Sequence, residues 1–286
     1  MINKILKNSD ERLIIVAPTR ELASQIAKEA ISFAKGSGIY VTTIVGGESM
    51  GRQISSLKKD NRLIVGTPGR ITDLIKRKVL KTKDINNIVV DEVDRMLDMG
   101  FIRDIQSLFK VISTDKQSLF FSATHNSGVD RTVKQLIRNY ETIKLSNNTA
   151  NNSVAQSVID YSSTQEKMQL LEELLQREEV KKAIIFVETK RYADRVKKSL
   201  FSNKHRVDVI HGDKRQNYRN RVISKFRDSR INYLVATNVA ARGIDIDDIT
   251  HVINLDEPQN YDEYIHRIGR TGRNGSTGVA YTFLQK

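Results

Sequence analysis

Apolar residues in this chain gather into short β-branched runs. Each run is cut off by a glycine, a proline or a charge, and most are followed by a stretch in which apolar positions recur every three or four residues. Leu13-Ile14-Ile15-Val16-Ala17 stops at Pro18, after which Leu22, Ile26, Ala30 and Phe33 recur at helical spacing until Gly36 and Gly38. The pattern repeats: Val41 to Val45 ends in Gly46-Gly47, Arg62 to Val65 in Gly66-Thr67-Pro68-Gly69-Arg70, Ile85 to Val90 in acids, and Ser118 to Phe121 in Ser122-Ala123-Thr124. Strand, turn and helix in alternation predict an α/β fold, with a parallel sheet covered by helices on both faces. The loops at the carboxyl ends of its strands then form one functional rim.

From Leu145 to Thr164 the texture changes. Ser146-Asn147-Asn148-Thr149-Ala150-Asn151-Asn152-Ser153 is small and polar, cannot bury a face, and reads with its flanks as an interdomain linker. The same grammar then restarts. A helix carrying Met168, Leu171, Leu174 and Leu175 leads to a strand from Ala183 to Val187, and Val207 to Ile210 ends in His211-Gly212-Asp213. Tyr233 to Val235 ends in Ala236-Thr237-Asn238, His251 to Leu255 in Asp256-Glu257-Pro258, and Gly278 to Phe283 reads as a last strand. The expectation is two tandem α/β domains, residues 1–147 and 154–286, with mostly parallel sheets and a crevice between them.

Composition narrows the partners. With 286 residues, 39% hydrophobic and 28% charged, the chain has the makings of a soluble protein of two domains. Its formal charge is +13, divided as +8 through Ala150 and +5 after it, so no single tail is responsible. A basic field on both halves suits a polyanion such as nucleic acid. The absence of cysteine excludes disulfides and thiolate metal sites. No apolar run reaches membrane-spanning length and Met1 to Asp10 lacks the apolar core of a signal peptide, so the expectation is a cytoplasmic protein with no membrane partner.

Two stretches carry candidate chemistry. Ile88-Val89-Val90-Asp91-Glu92-Val93-Asp94 is an apolar run that ends in three carboxylates, placed where α/β folds keep their ligands. There Asp91 is suited to orient Mg²⁺ through its water shell, and Glu92 to position and deprotonate a water attacking a phosphate. A strand running into an acidic helix N-cap would look the same. His266-Arg267-Ile268-Gly269-Arg270-Thr271-Gly272-Arg273 places three arginines and a histidine in eight residues. A guanidinium fork matches phosphate oxygens and stays charged at any working pH, which makes Arg270 and Arg273 candidate arginine fingers against the alternative of a solvated basic loop. Ala240-Ala241-Arg242-Gly243-Ile244-Asp245 is a further loop with a charged pair around a glycine.

Nine fragments together resemble the motifs of the DEAD-box RNA helicases in order and rough spacing. They are Pro18-Thr19-Arg20-Glu21-Leu22-Ala23, Gly46-Gly47, Thr67-Pro68-Gly69-Arg70, Asp91-Glu92-Val93-Asp94, Ser122-Ala123-Thr124, Ile185-Phe186-Val187-Glu188-Thr189, His211-Gly212-Asp213, Ala240 to Asp245, and His266 to Arg273. The resemblance covers nearly the whole chain. It implies two RecA-like domains that use ATP and Mg²⁺ and couple hydrolysis to local RNA unwinding or RNP remodelling. By the same resemblance Asp91 and Glu92 organise Mg²⁺ and the attacking water, and Asp94 and His266 link the acids to Ser122 and Thr124, coupling hydrolysis to domain closure. Asp245 contacts the ATP ribose, and Arg270 and Arg273 reach the phosphates. RNA is implied to lie by its backbone, without sequence preference, on Pro18, Thr19, Arg20, Glu21, Gly46, Gly47, Thr67, Pro68, Gly69 and Arg70. In the second domain Gly212, Gln216, Arg219 and Thr237 take the same role.

Two departures qualify the resemblance. Valine stands at position 93 where the family name has alanine, which leaves the carboxylates in place at a modest packing cost. The family's phosphate-cradling Gly-x-x-x-x-Gly-Lys-Ser/Thr loop and its adenine-reading glutamine motif belong upstream of Pro18 and do not occur in these residues. Gly46-Gly47-Glu48-Ser49-Met50-Gly51-Arg52-Gln53 is no substitute, because arginine and glutamine stand where lysine and a hydroxyl are required. The expectation is therefore a first domain that is incomplete, with Met1 to Lys7 as the tail of the helix after the missing loop. ATP and Mg²⁺ binding is then weakened or lost, and ATP hydrolysis is in question. Two alternatives follow: an ATPase-deficient RNA-binding remnant of a split gene, or an enzyme completed by a separate fragment bearing the phosphate loop.

Overall fold

The computed structural model describes residues 1–124, 127–144, 153–241, 246, 248–273 and 275–286. The chain divides into two compact units, Met1–Ile143 and Lys144–Lys286.

In chain order the first unit consists of α1 (Ile2–Lys7), β1 (Leu13–Val16), α2 (Arg20–Phe33), β2 (Val41–Ile44), α3 (Met50–Leu57), β3 (Leu63–Gly66) and α4 (Pro68–Lys76), followed by β4 (Asn87–Val90), α5 (Val93–Asp98), α6 (Ile102–Val111), β5 (Gln117–Phe120) and α7 (Ser127–Leu136). Its strands are all parallel, in the order β2-β3-β1-β4-β5. Strand residues alternate between two cores. Ile14, Val16, Ile64, Ile88 and Val90 pack with Leu74, Ile105 and Leu108 on one face. Leu13, Leu63, Val65 and Val89 pack with Ile5 and the alanine stripe of α2 (Ala23, Ala27, Ala30) on the other. Burial on both faces is why the strands read as continuous apolar runs.

Register sets the rim. Val16 pairs with both Gly66 and Val90, Ile44 with Gly66, and Val90 with Phe120, so all five strands end at one level. The loops beginning at Ala17, Val45, Thr67, Asp91 and Phe121 therefore leave the sheet side by side. Gly66 is required there, because a Cβ on it would lie 2.5 Å from Cγ1 and 2.6 Å from the carbonyl oxygen of Ile44.

The second unit consists of β6 (Val154–Tyr161), α8 (Thr164–Leu175), β7 (Ala183–Val187), α9 (Lys190–Ser202), β8 (Val207–Ile210), α10 (Gln216–Arg227), β9 (Tyr233–Thr237), α11 (Asn238–Ala241), β10 (His251–Asn254), α12 (Tyr261–Ile268) and β11 (Gly278–Gln285). Its six strands are also parallel, in the order β6-β11-β10-β7-β9-β8. Ile184, Phe186, Leu234 and Val252 pack with Val222 and Phe226 of α10 on one face, and Ile185, Val187, Val235 and Ile253 with Leu171, Leu174 and Leu200 on the other. Phe186 pairs with both Asn254 and Ala236, and Ala236 with Ile210, so this unit too gathers its strand ends at one rim.

One element differs from the sequence reading. Residues 154–161 of the expected linker form β6, paired with β11 from Val154 opposite Gly278 to Tyr161 opposite Gln285. As an edge strand it has one partner and is exposed along most of its length, so it lacks the apolar signature that marked the central strands. Among the described residues no helix is long and apolar enough to cross a membrane.

Replacing Gly66 with alanine is expected to destabilise the first unit by about 1–3 kcal/mol, through overpacking against the Ile44 backbone. Urea unfolding followed by circular dichroism reads this as a lower midpoint.

Candidate functional site

The chain leaves β4 through an abrupt turn. The Asp91 N–H donates to the Val16 carbonyl at 2.9 Å, carrying the β1–β4 ladder one residue further. Glu92 then takes a left-handed backbone (φ 52°, ψ 55°) and caps α5, a conformation that costs a non-glycine residue about 1–3 kcal/mol. The three acids separate in consequence. Asp91 Oδ1 accepts the Glu92 N–H at 2.9 Å. The Glu92 carboxylate accepts Nη1 of Arg95, whose side chain is 1% exposed. Asp94 is buried, and its Oδ2 accepts both the N–H and the hydroxyl of Thr124 at 3.0 Å. Ser122 donates its hydroxyl to the Thr124 carbonyl at 2.7 Å, so Asp94, Ser122 and Thr124 stand together.

Burial raises the Asp91 pKa, and the Glu92 charge raises it further, against the Glu92 N–H and Arg95. Among the described residues no three His, Asp or Glu side chains converge to hold a metal. A single half-buried carboxylate fits Mg²⁺ as that ion is held beside phosphates, through one acid and several waters, and does not fit a cage made by protein alone.

The rest of the first rim is basic and glycine-rich. Thr19 caps α2 by accepting the Leu22 N–H at 3.2 Å, which starts the helix with Arg20 and Glu21 in its first turn. The Arg20 guanidinium lies against Gly46 and Gly47. A Cβ on Gly47 would sit 2.0 Å from Nη1, and Gly47 holds a φ of +73°. Thr67 and Pro68 open α4 with both side chains buried, leaving Gly69 in open space. Arg70 donates to Gln53 Oε1 at 3.0 Å, while Gln53 Nε2 donates to the Val45 carbonyl at 2.9 Å. Gln53, 5% exposed, thus joins the β2 and β3 exit loops. Sequence reading passed over it as part of a failed phosphate loop.

In the second unit Gly212 follows β8, Thr237 ends β9, and Gln216 and Arg219 stand in the first turn of α10. Arg219 Nη2 donates to the Ala240 carbonyl at 3.4 Å and Gln216 Nε2 to Asn220 Oδ1 at 3.0 Å. Lys190, also unnoticed in the sequence, reaches Gly212: its Cε lies 3.5 Å from where a Gly212 Cβ would be, and its Nζ pairs with Asp213 at 2.6 Å. The arginine cluster divides. Arg267 is 2% exposed and bonds Asn254 Oδ1, the Asp256 carbonyl and Glu263, so it fastens α12 to the sheet. Arg270 and Arg273 lie past the end of α12, their Nε atoms donating to the carbonyls of His266 at 3.2 Å and Gly269 at 2.7 Å. Asp245 lies outside the described residues.

Known proteins resemble the chain in both units. The DEAD/DEAH box helicase family model matches residues 1–132, and the helicase conserved C-terminal domain model matches residues 166–275. The ATP-dependent RNA helicase CshA of Listeria monocytogenes is 40% identical over all 286 residues of the chain, which spans 55% of that relative's length. The structure of S. cerevisiae Dbp5 bound to RNA and ADP BeF3 is 34% identical, with a TM-score of 0.87, covering 96% of this chain and 72% of that one. Mss116p bound to ssRNA and AMP-PNP is 28% identical with a TM-score of 0.87, covering 100% of this chain and 61% of its own.

Two substitutions probe the acidic turn. Thr124→Val removes the hydroxyl donor that Thr124 gives to the buried Asp94 carboxylate and is expected to cost about 1–3 kcal/mol in urea unfolding. Ser122→Ala, on an exposed side chain, should stay within about 0.5 kcal/mol. Because folding raises the Asp91 pKa, its charged form weakens the fold at neutral pH and the penalty fades as pH falls through the folded-state value. Asp91→Asn is therefore expected to raise the unfolding temperature at pH 7, with the gain gone below about pH 3.5.

Proposed function

This chain belongs to the DEAD/DEAH box helicase family, and we propose that it serves ATP-dependent unwinding of short RNA duplexes or remodelling of RNA–protein complexes. In this reading the glycine and arginine loops of the two rims hold an RNA backbone without reading its bases. Asp91 and Glu92 serve Mg²⁺ and the attacking water, and Asp245, Arg270 and Arg273 serve the nucleotide. Asp94, Ser122, Thr124 and His266 couple hydrolysis to movement. The observation that carries the reading is the pairing of Asp94 with Thr124. It ties the acidic turn after β4 to the loop after β5 and leaves Asp91 half-exposed at the rim. Support comes from Dbp5 and Mss116p, each bound to RNA together with a nucleotide analogue.

The phosphate loop qualifies the enzymatic half. No Gly-x-x-x-x-Gly-Lys-Ser/Thr run occurs in the 286 residues, so most β- and γ-phosphate contacts and a direct Mg²⁺ ligand must come from elsewhere, whether contiguous or on a separate polypeptide. Edge strand β5 favours such an addition, since among the described strands it pairs only with β4, and Phe121 beyond it is 52% exposed. Working without that loop, these residues are an ATPase-deficient RNA-binding module, the second reading, favoured by the lone carboxylate of Asp91.

The 286 residues alone are expected to bind single-stranded RNA in fluorescence anisotropy, and Arg20→Gln or Arg219→Gln to weaken binding about tenfold without changing base preference. They should show no RNA-stimulated ATP turnover until a polypeptide carrying the phosphate loop is added. Turnover by the chain alone that disappears in Glu92→Gln would refute the second reading. Unchanged RNA binding in both arginine variants would refute the RNA tract on which both readings rest.

A further inference from the structure

Charge in the second unit is concentrated rather than spread. Residues 190–230 carry fourteen Lys and Arg against four Asp and no Glu, a net charge of +10 in a chain whose total is +13. Much of it lies on α9, whose buried face is Ala193, Val196 and Leu200. Opposite that face Arg191, Arg195 and Lys198 fall at i, i+4 and i+7 and form one outward stripe. All three are exposed, and among the described residues none has a carboxylate partner within salt-bridge distance. The one acid of the helix, Asp194, is already engaged by His211 at 3.0 Å and Lys214 at 2.8 Å.

Such a stripe works against the helix that carries it. Like charges at i, i+4 cost about 0.2–0.5 kcal/mol per pair, and solvated helix faces usually interleave glutamates that α9 lacks. A bound polyanion removes that repulsion. The stripe also starts at the right place: Lys190, the first residue of α9, lies against Gly212 of the candidate RNA tract. From there a rise of about 1.5 Å per residue carries the cations about 10 Å along the helix, away from that tract. Aromatic rings flank them. Arg195 lies over the Tyr192 ring at 5.4 Å, and Lys197 over Phe201, itself 62% exposed, at 4.6 Å.

We propose that Arg191, Arg195 and Lys198 form a second RNA-backbone contact surface, on which a strand held at Gly212, Gln216, Arg219 and Thr237 continues beyond that tract. The inference rests on the RNA reading above and adds a place for the flanking nucleotides. Guanidinium and ammonium groups on phosphates, beside the exposed Phe201 ring, give grip without base preference.

The test measures anisotropy of the full chain with oligouridylates of about eight and about 24 nucleotides, the shorter sufficient for the tract alone. The triple variant Arg191→Gln, Arg195→Gln, Lys198→Gln should bind the long RNA about tenfold more weakly and the short RNA as the parent does. Its slope of log affinity against log salt should be shallower by about 2, at about 0.7 per phosphate contact. The charge-preserving pair Arg191→Lys, Arg195→Lys should retain most of the long-RNA affinity. Unchanged binding of the long RNA, or an equal loss on both lengths, overturns the inference. If Arg219→Gln weakens both lengths in the same experiment while the triple variant weakens neither, the inference falls and the tract stands. A parent chain that binds neither length overturns both.

Discussion

A buried carboxylate governs the first rim. Asp94 is 4% exposed, and a charge so placed is tolerated only where donors surround it. Its donors include the Arg95 N–H within its own helix turn, and the N–H and hydroxyl of Thr124 from the loop after β5. Neither loop can move without stranding the charge, so the acidic turn and the exit of the neighbouring strand behave as one piece. Glu92 absorbs the geometric cost in its left-handed backbone, and the Arg95 side chain fills the space beneath while neutralising the Glu92 carboxylate. Asp91 accepts the adjacent Glu92 N–H and has its pKa pushed up by burial, a group poised to gain from a cation.

The second unit fixes its rim with buried charge of both signs. Arg267 ties α12 to the end of β10, and Lys167 pairs with Asp256 at 2.7 Å while its ammonium lies 4.9 Å from the Tyr161 ring and 5.6 Å from the Tyr192 ring. Asp256 in turn accepts the Glu188 N–H at 2.8 Å. The loops after β7 and β10 are thereby held to α8 and α12. Arg270 and Arg273 follow the anchored Arg267 by three and six residues, so the buried arginine sets where the other two begin.

What could be read from the sequence followed from burial. Central strands buried on both faces announce themselves as apolar runs, and the residue that stops each run marks the rim, which is why the rim positions of Asp91, Gly46 and Thr67 are legible in the sequence. Edge strand β6 has a single partner and an exposed face, so Gln156, Ser157 and Asp160 hid it inside an apparent linker. Arg267 and Arg270, 2% and 8% exposed, could not be told from the less buried Arg273 by composition, because only packing against the rest of the unit sends them inward. Gln53 and Lys190 act across loops distant in sequence. Summing charge over each half of the chain concealed the sector around α9, since +10 over residues 190–230 is offset by acids elsewhere in that half.

Val93 shows how packing and chemistry divide the acidic motif between them. Its side chain is 2% exposed and belongs to the core formed with Ile88, Val90, Met96 and Val129, while its N–H donates to the Phe121 carbonyl at 3.0 Å. The turn at Glu92 sends residue 93 inward as it leaves Asp91 at the rim and directs Asp94 toward Thr124. A valine in that position therefore adds methyls to an apolar cluster that includes the flexible Met96, and leaves each carboxylate with its own partners. The third letter of the motif reports the volume available under α5. The chemistry rests on the first, second and fourth, whose positions depend on the hydrogen bonds of Asp94 and not on which small apolar side chain lies between.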